Sequence, residues 1–141
     1  MIKLIMEAKG TGKTKALIEA ANNAVAVSKG SVVFVEYGRD LSYQLKTQIR
    51  LVDAKAYSII DADEFYGFVC GMLAGNYDVT DLFLDSVLKI CGNDMASFGE
   101  FLFRIEKILD DRNINCLMTA SAFAETLPAG LERFLVGVNR E

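Results

Sequence analysis

Five short, predominantly apolar runs alternate with stretches of helical spacing along this 141-residue chain. The runs are residues 2–6, 32–37, 49–53, 80–84 and 114–119. A strand with one wet face alternates apolar and polar side chains, whereas a strand covered on both faces does not. Apolar runs separated by helical segments therefore specify an α/β chain whose strands lie parallel under helices on both faces. The expectation is a three-layer fold around a mainly parallel central sheet of about five strands. The length fits a single domain over 1–141, with no room for a full second one.

The helical segments follow from spacing. Ala16, Leu17, Ala20, Ala21 and Ala24 fall on one face of a helix that begins near Lys13 and is stopped by Gly30. Residues 63–74 carry a stripe of Phe65, Phe68, Val69, Met72 and Leu73. Gly67, Gly71 and Gly75 recur every fourth residue there, which suggests close packing of this helix on the sheet. A short helical turn is expected at 87–90. Ser97 and Glu100 form a capping box that starts a further helix, with Phe98, Phe101, Leu102, Ile105, Ile108 and Leu109 as its stripe. The segment 41–48 has no clear period. Beyond Pro128, the only proline, a weak final element is expected over 131–138.

"LIMEAKGTGKTKAL", residues 4–17, lies at the first strand-to-helix junction. Its second half completes the phosphate-loop pattern G-x-x-x-x-G-K-[ST], with Gly12, Lys13 and Thr14 in the last three places. Gly10 and Gly12 let the backbone curl so that successive N–H groups turn inward. The helix start adds its positive end. Lys13 is suited to the β- and γ-phosphates and Thr14 to a magnesium ion. A magnesium site of this kind also needs an acid at the carboxyl end of a neighbouring apolar strand. "LFLD" supplies Asp85; Asp81 is the competitor, but it falls inside the strand.

Together these features resemble the P-loop nucleoside triphosphatases. "KGTGKTK" at 9–15, "YGFVCGMLAGNYDVTDLFLDS" at 66–86 and "TASA" at 119–122 are similar to a family of small single-domain bacterial ATP-binding proteins, sometimes labelled twitching-motility-like. The resemblance implies that ATP is bound, with the backbone from Lys9 to Thr14 around the phosphates; with Mg2+ as cofactor, the expected nucleotide site is Glu7, Ala8, Lys9, Gly10, Thr11, Gly12, Lys13, Thr14 and Lys15. The resemblance implies little about the reaction; the chemistry of the loop and of the strand-end acid makes Lys13 and Asp85 the catalytic candidates, and Thr14 and Asp85 the expected metal ligands.

Glu7 departs from the pattern, which asks for glycine in its place. A carboxylate facing the phosphates at ~5 Å would oppose them by roughly 3 kcal/mol at an effective dielectric of ~20. It could instead point away, or fold back on Lys13 or Lys9. Weakened binding is the expectation. For hydrolysis, the residue after Asp85 is Ser86, where many P-loop ATPases carry a glutamate that orients water. Glu36 and Asp53 end neighbouring strands and are the substitutes. Thr119 and Ser121 end the last strand, and Arg39 follows a strand on the same side.

Composition narrows the remaining classes. The chain is 52% hydrophobic with a mean hydropathy of +0.25, which fits a buried sheet plus an apolar surface that meets a second copy or a protein partner. No run approaches the ~20 apolar residues of a membrane span, and the first residues lack a signal-peptide pattern, so a cytoplasmic protein is expected. The net charge of −4 and the absence of Lys/Arg runs argue against a nucleic-acid surface. The absence of histidine excludes a Ser–His or Cys–His pair, and together with three dispersed cysteines in apolar contexts it argues against a structural zinc site. The expected function is a weak or partner-dependent ATPase with a regulatory or assembly role. The alternatives are a small-molecule kinase using the same loop, and an interaction module that no longer binds nucleotide.

Overall fold

A computed structural model describes residues 1–38 and 40–138. The described elements are β1 (Ile2–Glu7), α1 (Lys13–Val27), β2 (Ser31–Glu36), β3 (Arg50–Asp53), α2 (Ala62–Ala74), β4 (Val79–Leu84), α3 (Val87–Ile90), α4 (Met95–Asp111), β5 (Asn115–Ser121) and β6 (Leu135–Val136). The strands form one sheet in the order β3-β2-β4-β5-β1-β6, and every pairing is parallel.

Strand alternation divides the core in two. Leu4, Met6, Val33, Val35, Leu82, Leu84 and Met118 face the side covered by α2 and α4, where Phe65, Phe98, Phe101, Leu102 and Ile105 are buried. The Phe65 and Phe101 rings stack at 5.1 Å between these two helices. Ile5, Phe34, Phe83 and Leu117 face the other side, which α1 covers with Ala16, Leu17, Ile18, Ala20 and Ala21. Both faces of the central strands are therefore dry, as their apolar runs demand.

Several local expectations are corrected. Among the described residues the sheet has six strands, because Leu135 and Val136 pair with Leu4 and Ile5 at the edge of β1. Two residues are too few for a readable period, so the strand is hidden in what looked like a weak final element. The 41–48 segment carries only a 3-10 turn, Ser42–Gln44. Helix α4 starts two residues before Ser97, with Asp94 in the capping position. Ser97 lies inside the first turn and donates its hydroxyl hydrogen to the Asp94 carboxylate. Asp94 makes no side-chain bond to a helix amide, so among the described residues neither Asp94 nor Ser97 caps α4 through its side chain.

The glycines also differ from expectation. Gly67 and Gly71 are exposed, and a Cβ on either would meet nothing within 4 Å, so they do not mediate close packing of α2. A Cβ at Gly75 would make only ordinary contact, 3.5 Å from the Gly71 carbonyl oxygen. Helix α1 ends before Gly30, at Ser28, whose amide donates to the Ala24 carbonyl at 2.8 Å. Gly30 is required for another reason: a Cβ there would sit 2.1 Å from the Asp78 carbonyl oxygen. Of the cysteines, Cys91 and Cys116 are buried and free, and burial pushes both thiols up to about 12; Cys70 is free but half-buried.

Candidate functional site

Period-two alternation assembles the site. Ile5, Phe34, Phe83 and Leu117 all point into the α1-side core. Two residues further along the same strands come Glu7, Glu36, Asp85 and Thr119, which therefore share that face at the carboxyl end of the sheet. The N-terminus of α1 opens onto the same rim. In open α/β sheets this rim is where ligands bind.

The 8–14 loop is folded around one carbonyl. Ala8 C=O accepts from the Thr11 hydroxyl at 2.9 Å and from the Lys13 ammonium at 2.9 Å. Gly10 and Gly12 have φ of 81° and 89°, a region that side-chain-bearing residues seldom adopt. Nothing lies within 4 Å of a Cβ at Gly10, so conformation, not crowding, calls for glycine. Among the described residues, no acceptor meets the backbone N–H groups of residues 10–15, and no side chain caps α1. These donors are the orphans of a helix start, pre-set for an oxyanion.

Lys13 is buried, and that burial holds its ammonium below the usual lysine value, opposed by the charges of Glu7 and Asp85. Glu7 is half-buried at the end of β1 and forms no ion pair with Lys13 or Lys9 among the described residues. Lys13 is held by the Ala8 carbonyl instead.

Asp85 follows β4 directly and is buried. The Thr14 hydroxyl donates toward its Oδ1 and Oδ2 at 3.2 and 3.3 Å. Thr119 donates to Asp85 Oδ1 at 2.6 Å and accepts from the Ser86 amide at 2.8 Å. Ser86 itself has φ 60°, unusual for a residue with a side chain, and this turn is what brings its amide onto Thr119. Asp81, the competitor, sits near the amino end of β4 beside Asn115, away from the loop.

Glu36 is the most unusual group on the rim. It is only 3% exposed; Oε1 accepts from the Asp40 amide at 3.0 Å, while Oε2 is buried without a described partner. Burial raises its carboxyl above the usual carboxylate range, and the charges of Asp40 and Asp85 add to this against the Leu41 and Asp40 amides. Asp53 has a structural task, because its Oδ1 accepts from the Gly38 and Lys55 amides at 2.7 and 2.9 Å. Arg39 lies outside the described residues.

A cavity of about 310 Å3 opens over the loop, lined by Gly10, Gly12, Lys13 and Thr14 and closed by Ser86 and Thr119. Lys9, Lys15 and Ser121 complete its wall. Among the described residues no group of three or more His, Cys, Asp or Glu could hold a metal unaided. Thr14 and Asp85 together offer oxygen ligands of the number magnesium takes from protein when water and phosphate fill its other positions.

No protein-family model matches the chain, and no curated protein matches it either. No helix in the described residues is long and apolar enough to cross a membrane.

Proposed function

We propose that this chain is a P-loop protein that binds ATP with magnesium and hydrolyses it slowly, or only when a partner completes the site. The observation that carries this reading is the meeting of Thr14 with Asp85 beside a bend whose amides lack acceptors. Gly10, Thr11, Gly12 and Lys13 surround the β- and γ-phosphates with N–H groups, and the Lys13 ammonium leaves Ala8 for phosphate oxygen. Ala8, Lys9, Thr14 and Lys15 complete the wall, and Glu7 borders it. Magnesium would be held by Thr14 and, directly or through water, by Asp85, which Thr119 orients; when bound, the metal neutralises developing charge on the phosphates.

Glu36 replaces the missing glutamate after Asp85. Its Oε2 has no partner among the described residues, and its raised carboxyl makes it a stronger base than an ordinary glutamate. Glu36 does not line the cavity as placed, so its side chain turns outward to orient a water against the γ-phosphorus. As the water oxygen bonds to phosphorus, the bond to the leaving ADP oxygen breaks and the water proton passes to Glu36. No arginine lines the cavity among the described residues, so the transition-state charge lacks the contribution an arginine finger makes elsewhere. An arginine from a second copy or another protein would supply it, which makes the nucleotide state readable by that partner.

Transfer to a small acceptor is the second reading, and it draws on a further cavity beyond Ser86. A thermal-shift assay with ATP and magnesium tests the proposal. Ligand at a hundred times its Kd stabilises the fold by ~2.7 kcal/mol. A rise in Tm that requires both components, with slow phosphate release by the protein alone, is the expected result. An unchanged Tm leaves only the interaction module.

A further inference from the structure

A second cavity of about 300 Å3 adjoins the first, lined by Lys9, Ser86, Leu88, Lys89, Asn93 and Ser121. Lys9, Ser86 and Ser121 belong to both walls, so the two cavities are contiguous on the side where Asp85 and Ser86 face the loop. The 86–93 segment that forms the outer wall is a defined turn. The Cys91, Gly92 and Asn93 amides donate to the Val87, Lys89 and Leu88 carbonyls at 2.8, 3.1 and 2.8 Å. Ser86, Gly92 and Asn93 all adopt positive φ, which closes the turn on itself and leaves its polar side chains on the cavity.

The chemistry of this wall is one-sided. Among the described residues it holds two ammonium groups, two hydroxyls and an amide, and no carboxylate. Neither Lys9 nor Lys89 forms an ion pair among the described residues. Lys89 stands 5.1 Å from the centroid of the Tyr37 ring, and Lys55 stands 6.0 Å from the same centroid. One ring thus gathers two cations that repel each other, with only the weak attraction of its π face to hold them. Positive charge concentrated around a concave, hydroxyl-bearing space favours an anion inside it.

We propose that the Lys9–Ser86–Lys89–Asn93 cavity is a binding site for a second small molecule carrying a compact oxyanion, a carboxylate or a phosphate, seated beside the nucleotide cup. Lys89 and Lys9 neutralise the anion while Ser86, Ser121 and Asn93 satisfy its oxygen atoms. Lys9 stands on the shared wall and so screens this anion from the terminal phosphate. The inference rests on the nucleotide reading only for what fills the neighbouring cup.

The test is an amide-resolved NMR titration of the whole chain with inorganic phosphate and, separately, malonate. Each is run with the cup empty and with the cup saturated by magnesium and a non-hydrolysable ATP analogue. The expected result is saturable shifts at residues 86–93 that persist when the cup is full. Lys89→Gln weakens this response roughly fivefold, the scale of one charge contact at a wet surface, and leaves analogue affinity unchanged. Lys13→Ala weakens analogue binding roughly tenfold or more and leaves the 86–93 response in place. A response to phosphate alone identifies a phosphate-bearing ligand, and one to malonate a carboxylate-bearing ligand. If the analogue does not bind while the 86–93 response survives and depends on Lys89, the nucleotide reading fails and the anion site stands. Shifts that are absent, indifferent to Lys89→Gln, or confined to residues 10–14 and abolished by the analogue overturn it.

Discussion

The Thr14 hydroxyl lies 3.2 and 3.3 Å from the two carboxylate oxygens of Asp85, across 71 residues of sequence. One residue opens α1 and the other follows β4, and β5 and β1 separate β4 from β6 in the sheet. The pair meets because Asp85 continues the α1-facing register of Phe83 past the strand end. Thr14 and Asp85 would hold a magnesium ion, so Asp85→Asn should uncouple the metal from the nucleotide. Wild type should bind an ATP analogue roughly tenfold more tightly with magnesium than with EDTA, the scale of one charge-assisted contact. The variant should bind equally in both. Calorimetric titration in the two buffers reads the difference.

Glu7 borders the loop without an ion pair to Lys13, yet its charge is felt there. An added phosphate brings like charge to a carboxylate that forms no ion pair among the described residues. At ~8 Å and an effective dielectric of ~40 the repulsion is about 1 kcal/mol. Glu7→Gly should therefore tighten nucleotide binding about fivefold or more, with most of the gain lost in high salt. Equal affinities for the two proteins would remove Glu7 from any account of binding.

Glu36 couples stability to pH. Its folded-state carboxyl titrates above the ordinary value. Between the unfolded value and the raised folded value, the native state holds a proton that the unfolded chain has released. Stability from this group is therefore present at low pH and lost as pH rises through that window. Glu36→Gln removes the buried charge, so the variant should melt higher than wild type at neutral pH, and the gap should close as pH falls through the window. Hydrolysis should drop by roughly a hundredfold, the usual loss with a general base. Melting curves across pH and a phosphate-release assay check both halves. A Gln variant that melts lower at neutral pH would show that the charge is better accommodated than the orphaned Oε2 indicates.

Gly67 and Gly71 face solvent on α2 with open space where a Cβ would go. Glycine inside a helix costs about 0.5–1 kcal/mol relative to alanine. Gly67→Ala and Gly71→Ala should each stabilise the protein by about that amount, additively, in urea unfolding. A loss of stability would place these glycines against a surface that the isolated chain does not contain.

These glycines also mark where the sequence was hard to read. Their spacing looked like a packing seam, but a four-residue period alone does not say whether a face is buried; the positions of Phe65, Val69 and Leu73 decide that, and they take the other side of the helix. The start of α4 failed similarly, since Asp94 and Ser97 both offer cap chemistry one turn apart. By contrast, the loop was legible because its constraints are local: two left-handed glycines at a strand-to-helix junction. Asp85 was legible because an apolar strand ended on it. Glu36 ends its own strand in the same register, two residues past Phe34, and this is the signal that finds it. What the sequence could not convey is that its second oxygen is buried with no partner among the described residues, while the Asp40 amide is satisfied by the first.

The central claim is that the bend at 10–15 and the Lys13 ammonium hold a nucleotide. Calorimetric titration of a non-hydrolysable ATP analogue with magnesium into wild type and Lys13→Ala, both shown to be folded by circular dichroism, tests it most directly. Saturable one-to-one binding in wild type, weakened roughly tenfold or more in the variant, is predicted from the loss of a charge-assisted phosphate contact. No binding by wild type, or the same affinity in both proteins, would contradict it.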